Sequence, residues 1–548
     1  MSRIISPVQT VQELEFIKRS HSAVEILPLD LSTLLYCLKQ KLPFVNPKEF
    51  SNNELHVEII QNTDSVLSLL KIENQATAFE KEFIAVCRFF LHQLFFIKLI
   101  LKRILQQEPS VKFMVSGFQK KIQFLYSDYN YQTSKIVKEL YPENTIQIQD
   151  FVDNKIYENC FSFQFKKIHE VDIILHSFGY NFTRFSSVAR KLNLKVGVLH
   201  FGKLSFKQGS KYIWRGVKPI VIERSTAETI YPEMLSWLDQ IDGKEVGLLR
   251  TRILEVLTLL GQEYNKSLVI KNIVEFHRPR IVASYATRGP EGAILDVKDH
   301  KTKSLCIPHG TVTASRIHQD KSYRSTIAEA VFTGQTELLA LQSKIAEEAY
   351  HDLSPEGKPL TSGNLILSER QLPPSNKKII LYAVTQKNFF GMQFYGVETY
   401  YEFFSNMMDL SAAQSKIDHP IFIKLHPAAK QLKTQLEELF PALRFTEGNL
   451  ENLLAKSLVT ISFSSTVIED SLHSKVPIIL FDPWIRYQHC LAESDVTKLN
   501  KAIYYVNCLK DLFTAIESVK DSNNPDFSEY VYPGKSMTNF KNLIQSLL

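Results

Sequence analysis

The sequence predicts an α/β fold of two doubly wound domains facing each other across a cleft, with a helical insertion in the first. Three observations carry this reading. Apolar runs rich in β-branched residues end abruptly at polar groups, helical stretches alternate with them, and a proline-rich break divides the chain. At 548 residues the chain is too long for one core. Strands alternating with helices imply parallel sheets joined by right-handed crossovers.

Taken in order, Ser22–Leu29 reads as a short strand, and about 60–106 as helix, with recurring Leu, Ile and Phe and no proline before Pro109. Val111–Gly117 reads as the next strand. Val171–Gly179, Leu194–Gly202 and Ser304–Thr311 share one form, an apolar run, then a His, then a Gly. The polar, turn-rich stretches 354–359 and 372–378 flank a short strand-like Leu365-Ile366-Leu367, and the second is the expected linker. Ile379–Thr385 then opens a new strand–helix series that runs through Ile421–His426, Val459–Ser462 and Val476–Pro483. Residues 539–548 read as a terminal helix. The expected division is 1–370, 371–525 and a C-terminal helix within 526–548.

Composition excludes several classes. A hydrophobic fraction of 44% and a charged fraction of 22% are those of a globular chain. The net charge of +6 suits an anionic ligand, but no dense Lys/Arg tract argues for nucleic acid. Six cysteines without a CxxC pair argue against a zinc site and for a reducing compartment. The first residues lack the apolar core of a signal peptide, so a cytoplasmic location is expected. Phe89–Leu105 is the most apolar stretch, yet His92, Gln93 and Lys98 interrupt it, and a span needs about 20 apolar residues. It reads as a buried helix. The sharper alternative lays it on the inner membrane face, with Lys98, Lys102 and Arg103 near lipid phosphates.

The strand ends hold the candidate chemistry. Ligands of open α/β sheets bind beyond the carboxyl ends of the strands. Lys424 and His426 fall on one side of their strand by period-two alternation, and Pro427 turns the chain away. Ser464 and Ser465 precede Thr466-x-x-Glu469, which has the form of a capping box. That geometry serves equally for a plain helix start or for seating a phosphate on free amides and hydroxyls. In the first half, Ile281–Leu295 reads as strand, tight loop and helix. Glu291 in its first turn could stabilise the helix or deprotonate a hydroxyl, and Arg288 could bind phosphate or pair with Glu291. His309-Gly310 ends the next strand, as either a turn or a cleft contact. His176 and His200 have similar positions, and 390–396 could cover a base or sugar. No Asp-x-Asp, GxxxxGK[ST], GxSxG or HExxH occurs, so no dedicated metal, ATPase or hydrolase signature is present.

These motifs carry a resemblance. Lys424-Leu425-His426-Pro427, the stretch Ser462–Thr466 with Glu469, and Pro477-Ile478-Ile479 resemble bacterial GT-B glycosyltransferases of surface polysaccharide synthesis. The nearest types are the capsule Kdo transferases and sialyltransferases with an HP motif. Ile307–Thr311 is similar to the His-Gly loop of capsule and teichoic-acid transferases. The resemblance implies a GT-B fold, with an acceptor-side N-terminal domain and a C-terminal nucleotide-sugar-binding domain. It implies a nucleotide-sugar donor (a CMP-activated 2-keto sugar acid foremost), a glycan or lipid-linked acceptor, and inversion. By this resemblance His426, Pro427, Ser464 and Ser465 contact the donor nucleotide. Glu291, in Pro290-Glu291-Gly292, matches the family's acidic-Gly base motif without its first acid. No essential metal or cofactor is expected, and association with the inner membrane would be peripheral. Rival readings are a UDP-sugar or CDP-polyol transferase of the same fold, and a non-catalytic relic that binds glycan or protein partners.

Overall fold

A computed structural model describes residues 3–51, 53–70, 77–117, 125, 133–149, 160–166, 170–177, 179, 181–228, 236, 238, 242–296, 301–308, 316–317, 336–353, 357–365, 367, 378–385, 398–532 and 536–548. Its strands form three sheets. All of the expected linker but Lys378, together with His309, Gly310 and the stretch 390–396, lies outside the described residues.

The N-terminal unit comprises β1 (Ile4–Val8), α1 (Val11–Ser20), β2 (Glu25–Pro28), α2 (Leu31–Lys39), α3 (Asn53–Ser68), α4 (Ala78–Gln107), β3 (Lys112–Val115), α5 (Thr133–Leu140) and β4 (Thr145–Gln147). Its four strands are parallel in the order β2-β1-β3-β4. Where the order reverses, between β1 and β3, the chain buries a polar knot. Ser116 and Ser134 donate to Glu13 Oε1 at 2.8 and 3.2 Å, and Thr133 donates to Gln9 Oε1 at 2.5 Å. Burial pushes the Glu13 carboxyl up to about 7, against those hydrogen bonds.

The central unit runs β5 (Cys160–Phe165), β6 (Ile173–Leu175), α6 (Asn181–Lys191), β7 (Val196–Phe201), α7 (Phe206–Trp214), β8 (Lys218–Glu228), α8 (Lys244–His277), β9 (Ile281–Ser284), α9 (Gly289–Ala293), β10 (Lys303–Cys306), β11 (Leu338–Leu341), α10 (Lys344–Leu353) and β12 (Lys358–Thr361). The order is β12-β11-β10-β9-β6-β7-β8-β5, with β5 alone antiparallel, on the β8 edge. The C-terminal unit runs β13 (Ile379–Ala383), α11 (Tyr400–Ala413), β14 (Ile421–Lys424), α12 (Lys433–Leu439), β15 (Arg444–Thr446), α13 (Leu450–Lys456), β16 (Ser457–Ser462), α14 (Val467–His473), β17 (Ile478–Phe481), β18 (Ile503–Val506) and α15 (Leu509–Asp521). Its order is β15-β14-β13-β16-β17-β18, parallel throughout. Finally α16 (Ser536–Leu547) returns to the central unit, burying Phe540 and Ile544 against Phe182 and Phe185.

The α/β class and the two Rossmann-like sheets are those read from the sequence. The four-stranded N-terminal sheet is a third unit inside the span read as one domain. Leu365 and Leu367 lie in turns rather than in the expected strand.

The long apolar helix is internal. A Thr77–Glu80 capping box starts α4, with N–H to side-chain distances of 2.6 and 3.3 Å. Of its most apolar window, 83% is buried inside the protein, although length and composition would let it cross a membrane. Phe83, Phe90 and Phe96 are at most 1% exposed, each contributing about 1.5–3 kcal/mol by burial. Two of its cations are engaged within the fold. Lys98 pairs with Glu245 at 2.6 Å, and Arg103 donates to the Phe50 carbonyl at 2.7 Å. Lys102 is exposed.

Candidate functional site

Both larger sheets contain the doubly wound order 3-2-1-4-5-6, read as β8-β7-β6-β9-β10-β11 in one and β15-β14-β13-β16-β17-β18 in the other. Winding reverses between β6 and β9, and between β13 and β16. The crevices beyond those strand pairs are where such sheets bind ligands. The sequence-predicted residues divide between the two.

At the first reversal, His176 continues β6 by donating its backbone N–H to the Ala283 carbonyl at 3.0 Å. From β9 come Tyr285, Arg288 and, in α9, Glu291. The Tyr285 hydroxyl donates to Glu291 Oε1 at 3.4 Å, and the His176 ring stands edge-on to Tyr285 at 6.0 Å. The loop turns tightly because it can hold glycine. Gly289 has φ +63°, and a Cβ there would stand 3.0 Å from Glu82 Oε2 and 3.3 Å from Glu291 Oε2. A Cβ on Gly292 would stand 2.2 Å from the Thr287 carbonyl carbon. Two carboxylates that sequence reasoning missed therefore flank Glu291. Glu82, from α4, takes Arg288 at 3.7 Å, so Arg288 pairs with Glu82. Glu263, from α8, is pushed up by burial, opposed by Lys266 and reinforced by the Glu291 charge. Burial lowers the His176 imidazole, against the Glu291 charge, which favours its neutral form. A carboxylate, a phenol and a neutral imidazole converging at one strand end can accept and relay a proton.

At the second reversal the register places Ala383, Lys424 and Ser462 level across β13, β14 and β16. Two residues further on lie Thr385, His426 and Ser464, all on the carboxyl rim. Lys424 and His426 share the half-buried face of β14, as alternation required. Lys424 Nζ donates to the Gly448 carbonyl at 2.8 Å, and burial together with Lys430 lowers its pKa. Pro427 is exposed and opens a 3-10 turn, whose Ala429 N–H donates to the His426 carbonyl at 2.8 Å.

The capping box at Thr466 is not formed. Thr466 already has helical φ/ψ (−58°, −17°), so the cap shifts back one residue. The Ser465 hydroxyl accepts from Val467 N–H at 3.2 Å, and Ser462 accepts from Ser465 N–H at 3.2 Å while donating to the Ala383 carbonyl at 3.0 Å. Glu469 is 2% exposed, turned into the core rather than back to a cap. Thr466 is exposed, and Ser464 and Ser465 are half-buried at the reversal.

Behind this rim lies a buried scaffold with no local sequence signal. Glu398 takes the Thr385 N–H and hydroxyl, each at 3.1 Å. Arg486 meets Glu402 through two hydrogen bonds of 2.6 and 2.7 Å, and its guanidinium lies 4.9 Å from the Phe463 ring. Asp482, which ends β17, receives the Arg486 and Tyr487 N–H groups at 2.5 and 2.6 Å. Burial pushes its carboxyl up to about 6 against those bonds. Two pockets among the described residues, of about 460 and 240 Å³, lie away from both reversals, beside Lys18 and Tyr36 and beside Leu491 and Tyr530. Among the described residues, no group of three His, Cys, Asp or Glu could hold a metal ion.

No family model matches the sequence, and no curated protein matches it. Several solved structures align. UDP-GlcNAc 2-epimerase from Methanocaldococcus jannaschii is 12% identical, over 68% of this chain and 98% of its own, with a TM-score of 0.40. A putative UDP-N-acetylglucosamine 2-epimerase from Listeria monocytogenes is 11% identical over 69% and 96%, with a TM-score of 0.39. The wall teichoic acid polymerase TagF, in a histidine-substituted form with CDPG, is 13% identical over 68% and 88%, with a TM-score of 0.35. Likeness at this level assigns no family. The α/β architecture rests on the strand orders given above.

Proposed function

We propose that this chain is a GT-B glycosyltransferase that moves a sugar from a nucleotide-activated donor to a glycan or lipid-linked acceptor in bacterial surface-glycan assembly. One observation carries the reading. Two sheets with the same strand order each gather polar groups at their own winding reversal, with proton-accepting groups on one and His426, Ser464 and Ser465 on the other. A two-substrate transfer needs such a division.

The favoured donor is a CMP-activated Kdo or nonulosonic acid, on the strength of the HP and Ser-Ser motifs. The acceptor hydroxyl attacks the anomeric carbon on the face opposite the phosphate, and the bond from that carbon to the phosphate oxygen breaks. Glu291 takes the acceptor proton. His426 donates to the departing phosphate, which Ser464 and Ser465 hold, so the developing charge meets preorganised donors. The transfer proceeds without a dedicated divalent metal, in the cytoplasm.

Thermal stabilisation of the purified chain by CMP, CDP, UDP, UMP and GDP, without and then with Mg²⁺, tests this. Selective stabilisation by CMP, lost in His426→Ala, is expected. Glu291→Gln is expected to keep that stabilisation and lose transfer. A preference for UDP or CDP moves the assignment to a UDP-sugar or CDP-polyol transferase. No response to any nucleotide overturns it in favour of a binding protein.

A further inference from the structure

The most exposed apolar side chains of the described residues occur together on one helix. Phe206, Ile213 and Trp214 in α7 are 93%, 79% and 82% exposed, and no other large apolar side chain among them exceeds 53%. None of the nine residues of α7 is buried. The helix is nevertheless well made. Ser205 and Gln208 form a capping box, with N–H to side-chain distances of 3.3 and 3.0 Å, and Gly216, at φ +60°, ends the turn that follows.

One edge of α7 holds it to the protein. The Tyr212 hydroxyl meets His200 Nδ1 at 3.2 Å, and Arg215 donates to Thr183 Oγ1 at 3.1 Å. At 100° per residue, Phe206, Ser210, Ile213 and Trp214 cover an arc of about 100° on the outer side. Lys207 and Lys211 continue that arc along one border, and both are exposed, as are Lys203 and Lys218. Between Asp172 and Glu223 the chain carries nine Lys and Arg and no acidic residue.

We infer that α7 docks the protein on an anionic lipid bilayer, with its axis in the membrane plane. An apolar arc carrying Trp and Phe, bordered by lysines, is the form that inserts at the boundary of headgroups and acyl chains. The positive charge of the exposed lysines along and beside that arc complements anionic headgroups. It also opposes pairing with the same face of a second copy. The helix follows the carboxyl end of β7, next to β6, so the bilayer would lie beside the rim that carries His176 and Glu291. The docking stands on exposure and charge alone. Its consequence, delivery of a lipid-linked acceptor to Glu291, rests on the proposed function.

The test is co-sedimentation of the full chain with phosphatidylcholine vesicles and with phosphatidylcholine–phosphatidylglycerol vesicles, at low and high salt. Binding to the anionic vesicles, weakened by salt, is expected. A combined Phe206→Ser, Ile213→Ser, Trp214→Ser variant should lose at least about tenfold in vesicle affinity, with its thermal unfolding unchanged because those side chains contact little else. Lys207→Gln with Lys211→Gln should weaken binding to the anionic vesicles alone. Wild-type protein that binds them no better than phosphatidylcholine overturns the inference, as does a triple variant that binds undiminished. Self-association in solution, lost in the triple variant without any vesicle binding, overturns it in favour of a second copy as the occupant. None of these readouts depends on glycosyl transfer.

Discussion

Arg486→Met tests what holds the rim at the second winding reversal in place. Arg486 and Glu402 have side chains 0% and 2% exposed, joined through two parallel hydrogen bonds across 84 residues of sequence. Glu402 also caps α11, its Oε2 accepting the Thr399 N–H at 2.7 Å. Methionine keeps much of the volume over Phe463 but leaves the carboxylate buried without its counter-charge. Breaking a buried pair from one side costs about 3–5 kcal/mol. For a unit of roughly 150 residues that is on the order of 10 °C in midpoint. A chain of several units does not unfold in one step, so hydrogen exchange of residues 457–487 should be followed beside the thermal melt.

The pH dependence gives the sharper test. Burial pushes the Glu402 carboxyl up, but the Arg486 charge and hydrogen bonds hold it below the usual carboxylate range. In the wild type the pair therefore stabilises above the unfolded carboxyl pKa, and its contribution is lost as pH falls through the lower folded value. In the variant burial is opposed only by the His56 charge and the Thr399 N–H, so the folded value should rise and the deficit should shrink on acidification. A Glu402→Met, Arg486→Met double variant should recover most of the loss, because apolar replacements of buried pairs are often neutral. A single variant within about 1 kcal/mol of wild type, or a deficit that grows in acid, would refute the reasoning.

Three further outcomes follow from buried groups and a tight turn. Gly292→Ala should cost about 1–3 kcal/mol and abolish the proposed transfer, since its Cβ meets the Thr287 carbonyl; unchanged melting and activity would contradict this. Glu13→Gln should stabilise at pH 8, by about 2–3 kcal/mol. The folded pKa of Glu13, about 7, lies above its unfolded value, so its contribution is lost as pH rises between the two, and a melt at pH 4 should show no such gain. His92 is fully buried, neither ring nitrogen has a hydrogen-bond partner, and burial drives its imidazole down to about 3. Wild-type stability should therefore fall as pH drops below the unfolded value of about 6.5. His92→Leu should raise stability by about 1–2 kcal/mol at neutral pH and flatten that decline, as read from denaturation midpoints at several pH values.

What was legible in the sequence follows from how the strands are buried. A parallel strand covered on both faces is a continuous apolar run, so β6, β7, β9, β10, β13, β14, β16 and β17 stood out. Their polar ends then marked Glu291, His426, Ser464 and Ser465 near the winding reversals. β1 was hidden by Pro7, which argues against a central strand although β1 lies between β2 and β3. β12 carries Pro359 on an edge, where it reads as turn. Glu82 and Glu263 were missed because an acid within a long helix is usually part of its solvated face. Arg486 and Glu402 were missed because nothing local pairs residues so far apart. The cap moved from Thr466 to Ser465 because a motif fixes residue types three apart, not which of two adjacent hydroxyls accepts from the helix's first N–H groups.

The third unit gives those missed residues a common cause. Its α3 places Ile60 against Phe463 and Tyr487, directly before Ser464 and Ser465, while His56 meets the Tyr401 hydroxyl at 3.1 Å. Its α4 places Glu82 against Gly289 and Arg288, directly before Glu291. One pair of packed helices therefore touches the backbone neighbourhood of both winding reversals. Close-packed interiors transmit displacement rather than absorb it, so a shift of α3 and α4 would move both candidate groups together. This accounts for the composition of α4. A helix contacted by α3, α5, α8 and α9 has little face left for water, so it must be apolar nearly all round, the same pattern that makes it resemble a membrane span.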